Sequence, residues 1–181
     1  MAADLPRVTT ILNAVGLGPD LSMVPPDVLT AAQQRGTAVH EAIEAIVYGY
    51  FDGAPDASIK GYLDAYQRFV AESGYTPIAA EFEVVHEAWR YVGHPDQIGW
   101  LGKHRLLLDF KTGIADGVEY QLAAYAAAYN AQHPTEPVTA AAAIALRRDG
   151  TYRYHEVDVE EAKPVWLAAV TVYHARMRRA A

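Results

Sequence analysis

The chain contains no cysteine. That absence excludes disulfides, thiolate zinc sites, cysteine nucleophiles and cysteine-ligated iron–sulfur clusters together, so a metal here must be held by oxygen or imidazole. Long apolar runs are missing as well. No window holds the roughly 18 consecutive apolar residues that span a bilayer, and the start, "MAADLPRVTT", lacks the basic and apolar regions of a secretory signal. Together these predict a cytoplasmic protein with no membrane partner. A basic surplus is also lacking. With a formal net charge of −7 the chain does not bind nucleic acid by bulk electrostatics, and Arg35, Lys103, His104, Arg105, Arg147, Arg148 and the tail "HARMRRAA" are basic spots on an acidic background. There is no internal repeat, low-complexity tract or long linker. The 181 residues, 51% hydrophobic, fit one globular domain able to bury a real core.

What is present falls into three blocks, at about 8–73, 77–133 and 138–179. The first reads as helices. Val8, Ile11, Leu12 and Val15 share a face before Gly16, and Pro25 and Pro26 open a long helix carrying Val39, Ile43, Ile46 and Val47 that stops by Gly49. A third helix runs from about Ile59 to Ser73, ended by Gly74. From Pro77 the period changes to two, with Phe82 and Val84 alternating against Glu81, Glu83 and Val85, which predicts strands. "RLLLDFK" is apolar on both faces, as a central strand is. "GVEYQLAAYAAAYNAQH" is an alanine-rich helix with Gln121, Tyr125 and Ala128 on one face. Asp149-Gly150 predicts a two-residue type I′ hairpin loop, and a last helix from Glu160 to about Arg178 packs Trp166, Val170 and Tyr173. The order implies a mixed α/β domain with one sheet flanked by helices.

The chemistry is concentrated in "GHPDQIGWLGKHRLLLDFKTG", Gly93 to Gly113. Residues two apart on a strand point the same way, so Asp109 and Lys111 project side by side, with Leu107, while Leu106, Leu108 and Phe110 face the other side. Asp96 lies thirteen residues before Asp109, the separation expected of two antiparallel strands joined by a turn at Gly102. A buried carboxylate or ammonium is unfavourable unless paired or metal-bound. The stretch is therefore either a structural ion pair with a turn cap, or the floor of a metal site. Two converging carboxylates with no soft ligand nearby suit Mg²⁺ or Mn²⁺, with water and a phosphate oxygen completing the shell. A lysine beside such an ion can orient or help deprotonate an attacking water and stabilise the pentavalent phosphate. Upstream, "QRGTAVHEAIE" sets His40 beside an apolar helical face, and downstream "YQLAAY" places an amide and a phenol one turn apart.

In this order, "RGTAVH", Glu81, "GHPD", "LLDFKTG" and "YQLAAY" resemble the PD-(D/E)XK nuclease superfamily in its RecB-like branch, over roughly Arg35 to Tyr129. The resemblance implies a restriction-endonuclease-like core, a central mixed β-sheet flanked by α-helices. It implies His40 as a metal ligand, Asp96 as the aspartate of the "PD" motif, Asp109 and Lys111 as the "DxK" pair, and Glu81 as the preceding strand glutamate, with Glu83 a competing choice. Metal would then be held by His40, Asp96, Asp109 and the backbone carbonyl of Phe110, with Lys111 serving the water. Gln121 and Tyr125 would contact DNA or brace the site, and Arg35, five residues before His40, would sit on a basic rim that binds DNA. Some relatives carry a four-cysteine iron–sulfur cluster, which this chain cannot, and others are the nuclease end of a long helicase, for which 181 residues leave no room. The expectation is a free-standing, phage- or prophage-type enzyme of DNA recombination, repair or processing. It is a Mg²⁺- or Mn²⁺-dependent exonuclease in preference to an endonuclease, since no sequence-reading or dimer-forming module is visible. A catalytically silent DNA-binding domain of the same fold is the alternative.

Overall fold

A computed structural model of the chain describes residues 5–113 and 116–180. Helix α1 (Val8–Val15) buries Val8, Ile11 and Leu12 and ends where Gly16 turns left-handed. Helix α2 (Pro26–Val47) opens on the proline pair, where a missing N–H costs nothing, and α3 (Lys60–Ser73) closes on a left-handed Gly74. Strands β1 (Thr76–Ala80), β4 (Gln97–Leu101), β5 (His104–Lys111), β6 (Ala140–Leu146) and β7 (Tyr152–Val157) form one five-stranded sheet in the order β1-β4-β5-β6-β7. Strands β2 (Val84–His86) and β3 (Tyr91–Gly93) pair separately. Helix α4 (Val118–Gln132) is the crossover between parallel β5 and β6, all other pairs being antiparallel, and α5 (Val159–Ala180) closes the chain. No helix among the described residues is long and apolar enough to cross a membrane.

The sheet divides the core as the period-two reading of β5 requires. Leu106, Leu108 and Phe110 pack with Ala142 and Ile144 against Val39 and Ile43 of α2 and Tyr66 and Phe69 of α3. On the opposite face Leu107 packs with Ala141 and Ala143 against Leu122, Tyr125 and Ala128 of α4 and Trp166 and Val170 of α5. Helix α4 is buried on most sides, which its alanines permit, because small side chains let sheet and helices approach it together.

Two expectations change. The alternation from Pro77 does not run as one strand: β1 ends at Ala80, Glu81 adopts a left-handed backbone with φ 48°, and the chain leaves the sheet for the β2–β3 hairpin. That left-handed residue redirects the backbone beyond it, so Glu81 and Glu83 do not share a face. The Asp149-Gly150 loop is not type I′. Gly150 N donates to Arg147 O, Arg147 N donates to Thr151 O, and only Gly150 has positive φ, whereas type I′ requires it at both central residues. Asp149 instead accepts from the backbone N and hydroxyl of Thr151, which holds a three-residue loop ending in a glycine bulge.

Candidate metal centre

The site forms where β4 begins and β5 ends. Gln97 is registered with Leu108, which sets Asp96 just before β4 beside the Asp109 level of β5, and the turn between the strands uses Gly102 in a left-handed conformation. Asp96 is buried at 8% exposure, and its Oδ2 accepts from Phe110 N at 2.5 Å. This bond is the structural reason for the carboxylate at that spot: it satisfies a backbone donor near the end of β5 and leaves Oδ1 free to face inward.

Facing Oδ1 is His40, from the α2 side of the sheet. Its Nδ1 lies 3.4 Å from Asp96 Oδ1 and 3.1 Å from Glu81 Oε1, and its Nε2 lies 3.2 Å from the Phe110 carbonyl oxygen. Burial alone would lower the imidazole pKa, but the Asp96 carboxylate, and then Glu81, overrule it and raise it to about 11. As an imidazolium the ring donates from both nitrogens, and it gives up one of these protons to serve as a metal ligand. His40, Glu81 and Asp96 each offer a ligand atom within 4.8 Å of the others, and this group can hold a metal ion. Two carboxylates, an imidazole and a backbone carbonyl make a donor set rich in oxygen, with no thiolate. Glu83 lies outside it, its carboxylate 3.6 Å from His94 Nε2.

Asp109 belongs to a second group, on the α4 side. It is 1% exposed. Its Oδ1 accepts from Gln121 Nε2 at 3.0 Å, and its Oδ2 lies 2.7 Å from Lys111 Nζ without well-aligned hydrogen-bond geometry. Burial raises the Asp109 pKa, and Lys111 opposes the shift. Burial would lower the Lys111 pKa, but Asp109 and Asp96 together raise it, so the ammonium stays charged. Gln121 joins the pieces: its Oε1 accepts from Lys111 Nζ at 3.2 Å and its Nε2 also donates to Tyr125 Oη at 2.8 Å. Tyr125 is 4% exposed, and its hydroxyl is hydrogen-bonded to Gln121. A Cβ on Gly93 would come within 2.5 Å of the Tyr125 ring, so the glycine of "GHPD" is what lets that ring seat.

The structure thus brings together His40, Glu81, Asp96 and the Phe110 carbonyl on one side, and Asp109, Lys111, Gln121 and Tyr125 on the other. The reason is the pleat. Asp109 and Lys111 point toward α4, whereas His40 arrives from α2. Arg35 stands apart from both groups, its guanidinium 5.9 Å over the Tyr62 ring and its Nε without a hydrogen-bond partner. Hollows open beside the strand ends. One, of about 390 Å³, is lined by Gly36, Thr37, His40, Glu41, Glu44 and Glu81; a second, of about 660 Å³, has Lys111 and Gln121 on one wall and Thr9 and Asn13 of α1 on another. Thr9 and Asn13 carried no signal in the sequence, because their place depends on where α1 docks.

No known family model matches the chain, and no curated protein matches it. Among solved structures, an alkaline exonuclease from Laribacter hongkongensis, LHK-Exo, aligns with 98% of this chain and 94% of its own at 12% identity and a TM-score of 0.44. LHK-Exo in complex with dAMP aligns at 13% identity and a TM-score of 0.35, covering 98% and 93%. A protein named SSO0001 aligns over 78% of this chain and 71% of its own at 11% identity and a TM-score of 0.35.

Proposed function

We propose that the chain is a Mg²⁺- or Mn²⁺-dependent deoxyribonuclease that hydrolyses phosphodiester bonds without a covalent intermediate. The observation that carries this reading is the convergence of His40, Glu81 and Asp96 within 4.8 Å, from three separate parts of the chain, beside a charged lysine held on a buried carboxylate. A structural ion pair explains Asp109 with Lys111. It does not explain two further carboxylates and an imidazole gathered next to them.

In the reaction a water oxygen attacks phosphorus, one P–O bond to a sugar breaks, the water gives up a proton and the leaving oxygen takes one from solvent. A bound divalent cation supplies a lowered pKa for the water and charge neutralisation for the phosphate. Glu81, Asp96, His40 and the Phe110 carbonyl would hold it. Asp109, with Gln121, fixes the Lys111 ammonium, which orients the water and faces the charge that builds on the phosphate. Asp109, whose Oδ2 carries no well-aligned hydrogen bond, keeps lone pairs with which it would join the cation's shell.

End-dependent cleavage is the preferred form, because the motif order resembles a branch rich in exonucleases. The test is incubation of the chain with end-labelled linear DNA and with closed circular DNA, each in Mg²⁺, Mn²⁺ or EDTA. The expected result is loss of label from linear DNA with either cation, an intact circle, and no reaction in EDTA. Nicking of the circle would identify an endonuclease, and binding without cleavage would identify a silent DNA-binding domain.

Arg35 is proposed as a phosphate anchor, since its guanidinium pairs with no carboxylate among the described residues and it precedes the helix turn that carries His40. Replacing Arg35 with alanine is expected to weaken DNA binding and to reduce the slope of log K against log salt by about 0.7–0.9, the increment of one phosphate contact. Replacing Arg178 and Arg179 at the end of α5 should leave the slope as it was. Unchanged affinity of the Arg35 variant across a salt series would remove it from the DNA path.

A further inference from the structure

Tyr48 is the C-cap of α2, and half of its surface is exposed, so burial does not account for its placement. Its hydroxyl does. Tyr48 Oη donates to Ala80 O at 3.0 Å and accepts from Ala80 N at 3.1 Å. Strand β1 is an edge strand that pairs only with β4, and Ala80 is its last residue. The N–H and C=O of Ala80 point away from β4, toward the open edge, where an added strand would otherwise bind them. One phenol satisfies both. The Tyr50 ring lies parallel to it, 4° off plane at 6.4 Å, and supports the ring from outside.

The next residue is Glu81, whose left-handed φ of 48° is a conformation that a side-chain-bearing residue adopts only where its surroundings hold it there. The surroundings are specific. Glu81 N donates to Asp96 O at 2.9 Å, its carboxylate meets His40 Nδ1, and the residue before it is clamped by Tyr48. His40 on α2 and Tyr48 at its C-cap lie eight residues apart, a little over two turns, which sets them on adjoining sides of the helix about 80° apart. One helix thus holds the end of β1 at two points, the side chain of Glu81 and the backbone of Ala80.

We infer that Tyr48 is a positioning residue for the cation site, its hydroxyl fixing the end of β1 so that Glu81 is presented to His40 and Asp96. This rests on the reading of that group as a cation site. Tyr48 makes no contact with His40 or Asp96 in which it would act as a ligand itself, so its effect must pass through Glu81.

The experiment is calorimetric titration of Mn²⁺ into the whole chain and into Tyr48→Phe, Glu81→Ala and the double variant, with thermal melts alongside. Tyr48→Phe removes only the hydroxyl and keeps the stacked ring, and Tyr48→Leu, which also lacks the hydroxyl and is expected to show the same loss, serves as the second variant should the first not fold. The expected result is Mn²⁺ affinity about three- to tenfold weaker in Tyr48→Phe, the loss of one to two hydrogen bonds, with no further loss when the same change is added to Glu81→Ala. Equal weakening on both backgrounds would overturn the inference and make Tyr48 a general support of the fold. Wild-type affinity in Tyr48→Phe would overturn it outright while leaving the cation site standing. A wild-type chain that takes up no Mn²⁺ would remove the site and the inference together.

Discussion

Replacing Lys111 with methionine is expected to lower the melting temperature by roughly 6–20 °C and to abolish DNA cleavage. The size of the first effect comes from what is left behind. Asp109 is 1% exposed, and Lys111, 2.7 Å away, is the cation that pairs with it. Its neighbours across β6 are Ala143 and Ala145, which offer no charge. Removing one partner of a buried pair typically costs about 3–5 kcal/mol, and for a chain of this length each kcal/mol corresponds to about 2–4 °C. Adding Asp109→Asn to the same chain removes the stranded charge while keeping an oxygen for Gln121. The double variant should therefore melt well above Lys111→Met alone and remain inactive. DNA affinity of the single variant, measured at a temperature where it is folded, should stay within a few fold of wild type, because the proposed role of Lys111 is on the transition state. A Lys111→Met chain that melts like wild type would show that Asp109 is not held as the structure places it. Parallel loss of affinity and cleavage would make Lys111 a phosphate anchor instead.

The pair was legible in the sequence because it depends on short-range rules. Strand periodicity alone puts Asp109 and Lys111 on one face of β5 and Phe110 on the other, and the turn at Gly102 brings Asp96, just before the adjoining strand, alongside. The limits of α2 and α3 came from their prolines and glycines for the same reason. What the sequence could not carry was the partition of the site. Asp109 and His40 approach Asp96 from opposite sides of the sheet, and the partners each one takes depend on how α2 and α4 dock, a matter of tertiary packing. Glu81 was found only as one of two candidates, since the alternating pattern across "AEFEV" conceals the left-handed turn that takes it out of register with Glu83. Tyr48 gave no signal at all. It stands just past the apolar stripe of α2 as a half-exposed aromatic, and its function exists only once β1 lies alongside.

The second large effect is expected at Asp96, where one carboxylate has two roles: Oδ2 accepts from Phe110 N, and Oδ1 faces His40. Asparagine in its place keeps the shape and an oxygen for Phe110 N, so the strand end is preserved, but the charge that a divalent cation requires is gone. Changing an outer-shell partner of a metal ligand commonly costs about 10–100-fold in metal affinity or activity, so losing the charge of a ligand should cost at least about 100-fold. The measurement that tests the central claim most directly is the rate of label release from end-labelled linear DNA by wild-type and Asp96→Asn protein, side by side in Mn²⁺. Rapid release by the wild type that EDTA stops, with release by the folded variant slower by at least about 100-fold, is the predicted result. Release by Asp96→Asn at the wild-type rate, or none by the wild type in either Mn²⁺ or Mg²⁺, would contradict the account.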